Sequence, residues 1–92
     1  MAMKYETVHQ TQFRRDYRRC EKRKYDMSLL HDIIAKLENG EPLDSVVNRP
    51  HPLKGSNPVI IECHIKSDWL LEYRYFGNQI IFIRTGTHSD LF

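Results

Sequence analysis

The sequence predicts a single α+β domain spanning residues 1–92, with an N-terminal strand and a helical hairpin packed on one face of a small antiparallel sheet. Three observations carry this. Apolar residues recur at helical spacing through the first part of the chain; after a proline-rich connection the period changes from 3.6 to 2; and the three strand-like runs that follow are separated by two residues each. Two cysteines are too few for a disulfide scaffold, and no apolar run approaches the ~18 residues of a membrane span or the core of a signal peptide. A cytoplasmic protein without membrane contact is therefore expected. Met1-Ala2-Met3 reads as an alternative start and is set aside.

Lys4–Val8 is short and β-compatible. Thr11 is placed to cap a helix in which Phe13, Tyr17 and Cys20 fall at i, i+4, i+7. Asp26 reads as the N-cap of a second helix carrying Met27, Leu30, Ile33, Ile34 and Leu37 on one face, closed by Asn39-Gly40 with Pro42 just beyond. Glu41–Asn57 holds all but one of the prolines and reads as a connection with a short extended piece at Pro52–Lys54. Val59–Lys66, Trp69–Phe76 and Gln79–Thr85 are the strands of a meander, turning at Ser67-Asp68 and Gly77-Asn78.

Charge is distributed unevenly. Arg14, Arg15, Arg18, Arg19, Lys22, Arg23 and Lys24 face only Asp16 and Glu21 in the first helix and its exit, while the whole chain carries a net charge of +2. Such a segment reads either as a solvated helix face or as a surface for a polyanion.

Alternation along the first meander strand puts Val59, Ile61, Cys63 and Ile65 on one side, under the helices, and Ile60, Glu62, His64 and Lys66 on the other, open side. Cys63 and His64 thus point apart, which weakens a zinc site built from Cys63, His51, His64 and His88, and no metal is expected. His9 and His31 read as surface residues. His51 lies in the rigid Arg49-Pro50-His51-Pro52 turn, and His88 follows Gly86 in a non-repetitive tail. A small sheet brings that turn, the first meander strand and the tail together, with Asp68 and Trp69 close by; Trp69 reads by default as core.

Several imidazoles, a carboxylate and an arginine, without an evident nucleophilic Ser or Cys, suit proton transfer and anion stabilisation. RNA cleavage needs these parts. A base takes the ribose 2′-hydroxyl proton, the oxygen attacks phosphorus, an acid protonates the departing 5′-oxygen, and a cation stabilises the phosphorane. Histidine, with an ordinary pKa of about 6.5, fills either proton-transfer role.

Read together, HPLKG (51–55), ECHIKSDWLLEYR (62–74) and RTGTHSDLF (84–92) resemble the RelE/ParE-superfamily toxins of the YafQ type, ribosome-dependent mRNA interferases of bacterial type II toxin–antitoxin pairs. The resemblance covers nearly the whole chain and implies a RelE-like, microbial-ribonuclease-like fold. It assigns acid–base and orienting roles to His51, His64, Asp68 and His88, and the cation on the scissile phosphate to Arg84. Trp69 and Phe92 match site aromatics, Phe92 touching the mRNA base. Arg14, Arg15, Arg18, Arg19, Lys22 and Arg23 would dock on ribosomal RNA. The implied partner is a dimeric, DNA-binding antitoxin of DinJ/RelB type, through which alone operator DNA is reached; no cofactor is implied. One departure is Ile61, where many relatives carry a basic residue, and Lys54 or Lys66 would then supply a phosphate contact. The competing readings are a gyrase-inhibiting toxin of the ParE branch, which needs no histidine constellation, and a plain RNA-binding module, which leaves the tail unexplained.

Overall fold

The protein was described by a computed structural model covering residues 4–92; Met1-Ala2-Met3 lie outside the described residues. The elements run β1 (Glu6–His9), α1 (Thr11–Lys22), α2 (Met27–Glu38), β2 (His51–Pro52), β3 (Ile61–Lys66), β4 (Trp69–Phe76), β5 (Gln79–Gly86) and a C-terminal turn of helix, α3 (His88–Leu91). They build one five-stranded sheet of order β1-β5-β4-β3-β2. The β3-β4-β5 meander is antiparallel, as the two-residue turns require, and β1 adds parallel to β5, pairing Glu6 with Gln79 through His9 with Phe82.

Both long helices cover one face of the sheet. Phe13 and Cys20 from α1 and Leu30, Ile33 and Leu37 from α2 meet Cys63, Leu71, Tyr73, Ile80 and Phe82 in one core. Burying a side chain such as Leu30, fully enclosed here, stabilises by about 1.5–3 kcal/mol, so this layer supplies most of the drive to fold. Burial also pushes the Cys63 thiol up to about 12, leaving a small apolar group rather than a thiolate.

The local signals hold at α2, where Asp26 accepts from the Ser28 N–H and Gly40, at φ +71, follows the Asn39 cap. Several boundaries differ, β1 running over Glu6–His9 rather than Lys4–Val8 and β5 reaching Gly86 rather than Thr85. Gln10, not Thr11, occupies the cap of α1: its N–H continues the β1 pairing onto the Phe82 carbonyl, so the strand runs straight into the helix. Strand β2 is His51–Pro52 rather than Pro52–Lys54, because the Leu53 carbonyl is taken by Ser56 and the chain turns there. Strand β3 begins at Ile61 rather than Val59, since Val59 is exposed and the Ile60 N–H is spent on Ser56 Oγ. The tail is not irregular but helical, capped by a reciprocal Thr87–Asp90 box.

The expectation of an open second face also needs correcting at β3. Asn48, itself buried, folds back from the loop. Its carbonyl accepts the His64 N–H at 2.7 Å and its amide donates to the His64 carbonyl at 2.8 Å, leaving His64 only 9% exposed.

Candidate active site

Strand pairing aligns a row of ionisable side chains across the sheet. His51 on β2 is paired with Glu62 on β3, Glu62 with Glu72 on β4, and Glu72 with Arg84 on β5. The last pairing depends on a β-bulge. Tyr73 pairs with Phe82 but Glu72 with Arg84, so Ile83 is the extra residue. Strict alternation would have put Arg84 in line with the core residues Ile80 and Phe82; the bulge turns it into the charged row. Burial, and then the neighbouring Glu62 charge, push the Glu72 carboxyl up. Glu62 Oε2 is buried without a hydrogen-bond partner among the described residues, while Oε1 lies 3.7 Å from His51 Nε2.

Beside this row stands a histidine pair, the His64 and His88 rings being 6.0 Å apart between centroids. Helix α3 turns back so that Asp68 Oδ1 accepts both the His88 backbone N–H at 3.0 Å and ring Nδ1 at 2.6 Å. A carboxylate only accepts, so Nδ1 carries the hydrogen and Nε2 is presented outward. The two His88 hydrogen bonds, the backbone one first, hold the Asp68 carboxyl below its usual range. Arg49, at φ +44, brings its guanidinium to 3.4 Å from His64 Nδ1. The site therefore has a cation that sequence reasoning missed.

Arg84 is anchored at one edge. Its Nε donates to Asp16 Oδ2 at 2.7 Å and its Nη2 to Asp16 Oδ1 and the Asp90 carbonyl, each at 3.3 Å; Nη1 enters none of these contacts. The hydrogen bond to Asp16 holds the guanidinium more firmly protonated than usual. Phe92 is 73% exposed at the end of α3, open to a ligand. Trp69 is 3% exposed, donates to Thr85 Oγ1 at 2.9 Å and meets Tyr25 edge to face, so most of it belongs to the core beneath the site, and only an edge lines the cleft shared with Asp68 and Lys66. Lys66 is exposed and lines a cleft with Lys24, Tyr25 and Asp68, whereas Lys54 stands exposed in the turn after β2. Ile61 packs against the core, so that position faces away from the charged row.

The basic helix divides in two. Arg14, Arg15, Arg18 and Lys22 are exposed, with Arg14 and Arg18 bordering a groove between α1 and α2. Arg19 instead turns inward to Asp16, and Arg23, though exposed, is paired with Asp90, so neither is part of a purely solvated stripe.

Against known proteins, residues 5–92 match the family described as the bacterial toxin of type II toxin–antitoxin system, YafQ. The chain belongs to the YafQ toxin family. It is 35% identical over 81 residues to the mRNA interferase toxin YafQ of Escherichia coli K12, covering 88% of each chain. The fold superimposes on the E. coli DinJ–YafQ toxin–antitoxin complex with a TM-score of 0.89 at 33% identity, covering 98% of this chain and 99% of that one. A metal-bound toxin from Helicobacter pylori gives a TM-score of 0.89 at 32% identity, with coverage of 96% and 99%. Within this YafQ-family chain His51, Glu62 and His64 each offer a ligand atom, all within 4.8 Å of one another. The metal donors considered from sequence included Cys63 and His88; the converging carboxylate is Glu62, and Cys63 is sealed in the core. Among the described residues no helix is long and apolar enough to cross a membrane.

Proposed function

We propose that this chain is the toxin of a type II pair, a ribosome-dependent endoribonuclease that cuts mRNA in the ribosomal A site in the cytoplasm and so stops translation. The observation that carries this reading is the Asp68–His88 pair, facing His64, with Arg84 bonded to the Asp90 carbonyl of the same turn. In its Nδ1–H tautomer, neutral His88 accepts a proton at Nε2, and Asp68 then faces an imidazolium. His64, His51 and Glu62 form the rest of the proton-transfer set. The 2′-oxygen attacks phosphorus, the 5′-oxygen leaves with a proton from the acid, and Arg84 offers its Nη1 edge to the charge on the phosphorane. Phe92 supplies an exposed ring for an mRNA base. The E. coli DinJ–YafQ complex supports a DinJ-like antitoxin as the partner, with operator DNA reached only through it.

This chemistry needs no metal because the substrate brings its own nucleophile. Cleavage of translated mRNA should therefore survive EDTA in a magnesium-matched ribosome assay, with cyclic or 3′-phosphate and 5′-hydroxyl ends. Products with 5′-phosphates, efficient cutting of naked RNA, or intact mRNA together with blocked DNA supercoiling would each overturn the reading. A metal held by His51, Glu62 and His64, as the metal-bound H. pylori relative suggests, would occupy proton-transfer groups. Added copper or zinc should then inhibit; activity lost with EDTA and restored by either ion would make the metal a cofactor instead.

Docking is assigned to the outward cations. Reversing Arg14, Arg18 and Lys22 to Glu should weaken ribosome association and flatten its salt dependence, by about one unit of slope for each phosphate no longer neutralised. An unchanged slope would make this stripe a solvated face.

A further inference from the structure

Helix α1 does two things at once. Its outer side carries the exposed cations, and its inner side grips the segment that bears Arg84 and His88. Asp16 is fully buried, and within an apolar layer such a carboxylate is tolerable only because every approach is matched. It accepts from Gln12 and Arg19 at 3.0 Å each, from the Thr85 N–H at 3.1 Å and from Arg84 Nε at 2.7 Å. Two turns further on, at the C-cap of α1, Arg23 forms a two-pronged pair with Asp90, Nη1 to Oδ2 at 2.7 Å and Nη2 to Oδ1 at 3.1 Å. Asp90 Oδ2 also accepts the Thr87 N–H at 2.9 Å, closing the cap of α3 two residues from His88. The packing leaves no slack. A Cβ on Gly86, at φ +156, would lie 2.8 Å from Asp90 Oδ2 and 3.1 Å from Arg19 Nη2.

We propose that Asp16, Arg23 and Asp90 are positioning residues for catalysis: Asp16 aims Arg84, and the Arg23–Asp90 pair pins the α3 turn so that His88 meets Asp68. The proposal rests on the catalytic reading of His88 and Arg84 given above. The geometry favours positioning over bulk stability. Arg23 is 38% exposed, and an ion pair that accessible contributes little to global folding. Yet it holds a four-residue helix that is too short to hold itself and whose other tethers are Asp68, the Arg84 bond to the Asp90 carbonyl and the longer Arg19 contact to Asp90. Two contacts at opposite sides of one turn fix its rotation, and a misplacement of roughly 1 Å in a reacting group can cost about a hundredfold in rate.

The test uses the full chain with Asp90→Asn and Arg23→Gln, both of which keep a polar group in place, and Asp16→Asn as a third variant. Three measurements are made: single-turnover cleavage on programmed ribosomes, ribosome affinity, and the Asp68 carboxyl midpoint by NMR of the isolated chain, with thermal melts alongside. Rates should fall about ten- to a hundredfold at unchanged ribosome affinity, with melting little altered for Arg23→Gln, whose side chain is 38% exposed, and with Asp90→Asn, whose side chain is 12% exposed, assayed below its own melting midpoint. The Asp68 midpoint decides the mechanism through its sign. The groups that set the Asp68 midpoint are the His88 N–H and ring and, more distantly, the Asp90 charge; Lys24, Asp26 and Lys66 line the same cleft and are left in place in every variant. Removing the Asp90 charge alone would lower the midpoint further, whereas releasing the turn breaks the His88 bonds and raises it. A raised midpoint in Asp90→Asn supports the proposal. Wild-type rates in both Asp90→Asn and Arg23→Gln, or an Asp68 midpoint unmoved or lowered, overturn it. If Asp16→Asn unfolds, the Arg23 and Asp90 variants still decide. Should the wild-type chain cut no mRNA at all, the proposed function fails by itself, and the Asp68 midpoint still reports whether the turn is pinned.

Discussion

Replacing His88 with alanine is expected to lower the single-turnover rate on programmed ribosomes by about 10²–10⁴-fold, the usual worth of a positioned general acid or base. The fold should survive. The His88 side chain is 54% exposed, and its one polar side-chain contact is with Asp68, itself 63% exposed. Ribosome affinity should also be unchanged, since the exposed cations of α1 belong to another surface. The loss should therefore appear in the rate at saturation and not in binding. Asp68→Asn is the companion: an amide can turn its NH₂ toward Nδ1 and stabilise the other tautomer, so the rate should fall although both rings stay in place. A His88→Ala variant that cuts within threefold of wild type, folded and ribosome-bound, would remove His88 from the chemistry and leave His64 and Glu62 to carry it.

The parts of this site legible in the sequence are those set by local pattern. Two-residue turns at Ser67-Asp68 and Gly77-Asn78 fixed the meander, and alternation in β3 correctly sent Cys63 and Ile65 to the core and Glu62 and His64 to the other side. The density of reactive side chains in RTGTHSDLF drew attention to Arg84 and His88 and the proline-bounded turn drew it to His51, while the roles given to all three came from the resemblance to the YafQ-type toxins. What was not legible depends on contacts distant in the chain. Asp16 reads as one acid in a basic run, and only its partner 68 residues away shows why it is buried. Arg19 and Arg23 look like the other helix cations until Asp90, 67 residues after Arg23, pairs with them. The Ile83 bulge breaks the period of two on which facing was judged, and nothing in Phe82-Ile83-Arg84 announces it. Asn48 covers His64 through loop geometry that no periodicity encodes. One signal was readable and passed over: Thr87-His88-Ser89-Asp90 has capping-box spacing, which predicts the terminal helix.

Arg84→Ala is expected to lose both activity and stability, and the two losses can be separated. Arg84 lies across from Glu72 and holds the fully buried Asp16 through its Nε. Truncation leaves Asp16 with Arg19, Gln12 and the Thr85 N–H but without its shortest bond. A buried acceptor deprived of one partner typically costs about 1–3 kcal/mol. The retained bonds and the 27% exposure of Arg84 point to the lower half of that range. For a domain of this size each kcal/mol is worth roughly 4–8 °C, so the melt should drop by about 4–16 °C. Losing the charge that meets the phosphorane should reduce the single-turnover rate by about 10²–10³-fold at a temperature where the variant remains folded. Arg84→Gln distinguishes the two contributions. Its amide can donate to Asp16 from nearly the same place, which should recover part of the melting temperature, yet it brings no charge to the phosphate and should leave the rate as low as in alanine. If glutamine restores the rate as well, charge stabilisation is not what Arg84 provides and holding Asp16 is its whole contribution; if alanine leaves the melt untouched, Asp16 does not depend on Arg84 and α1 cannot be what aims it.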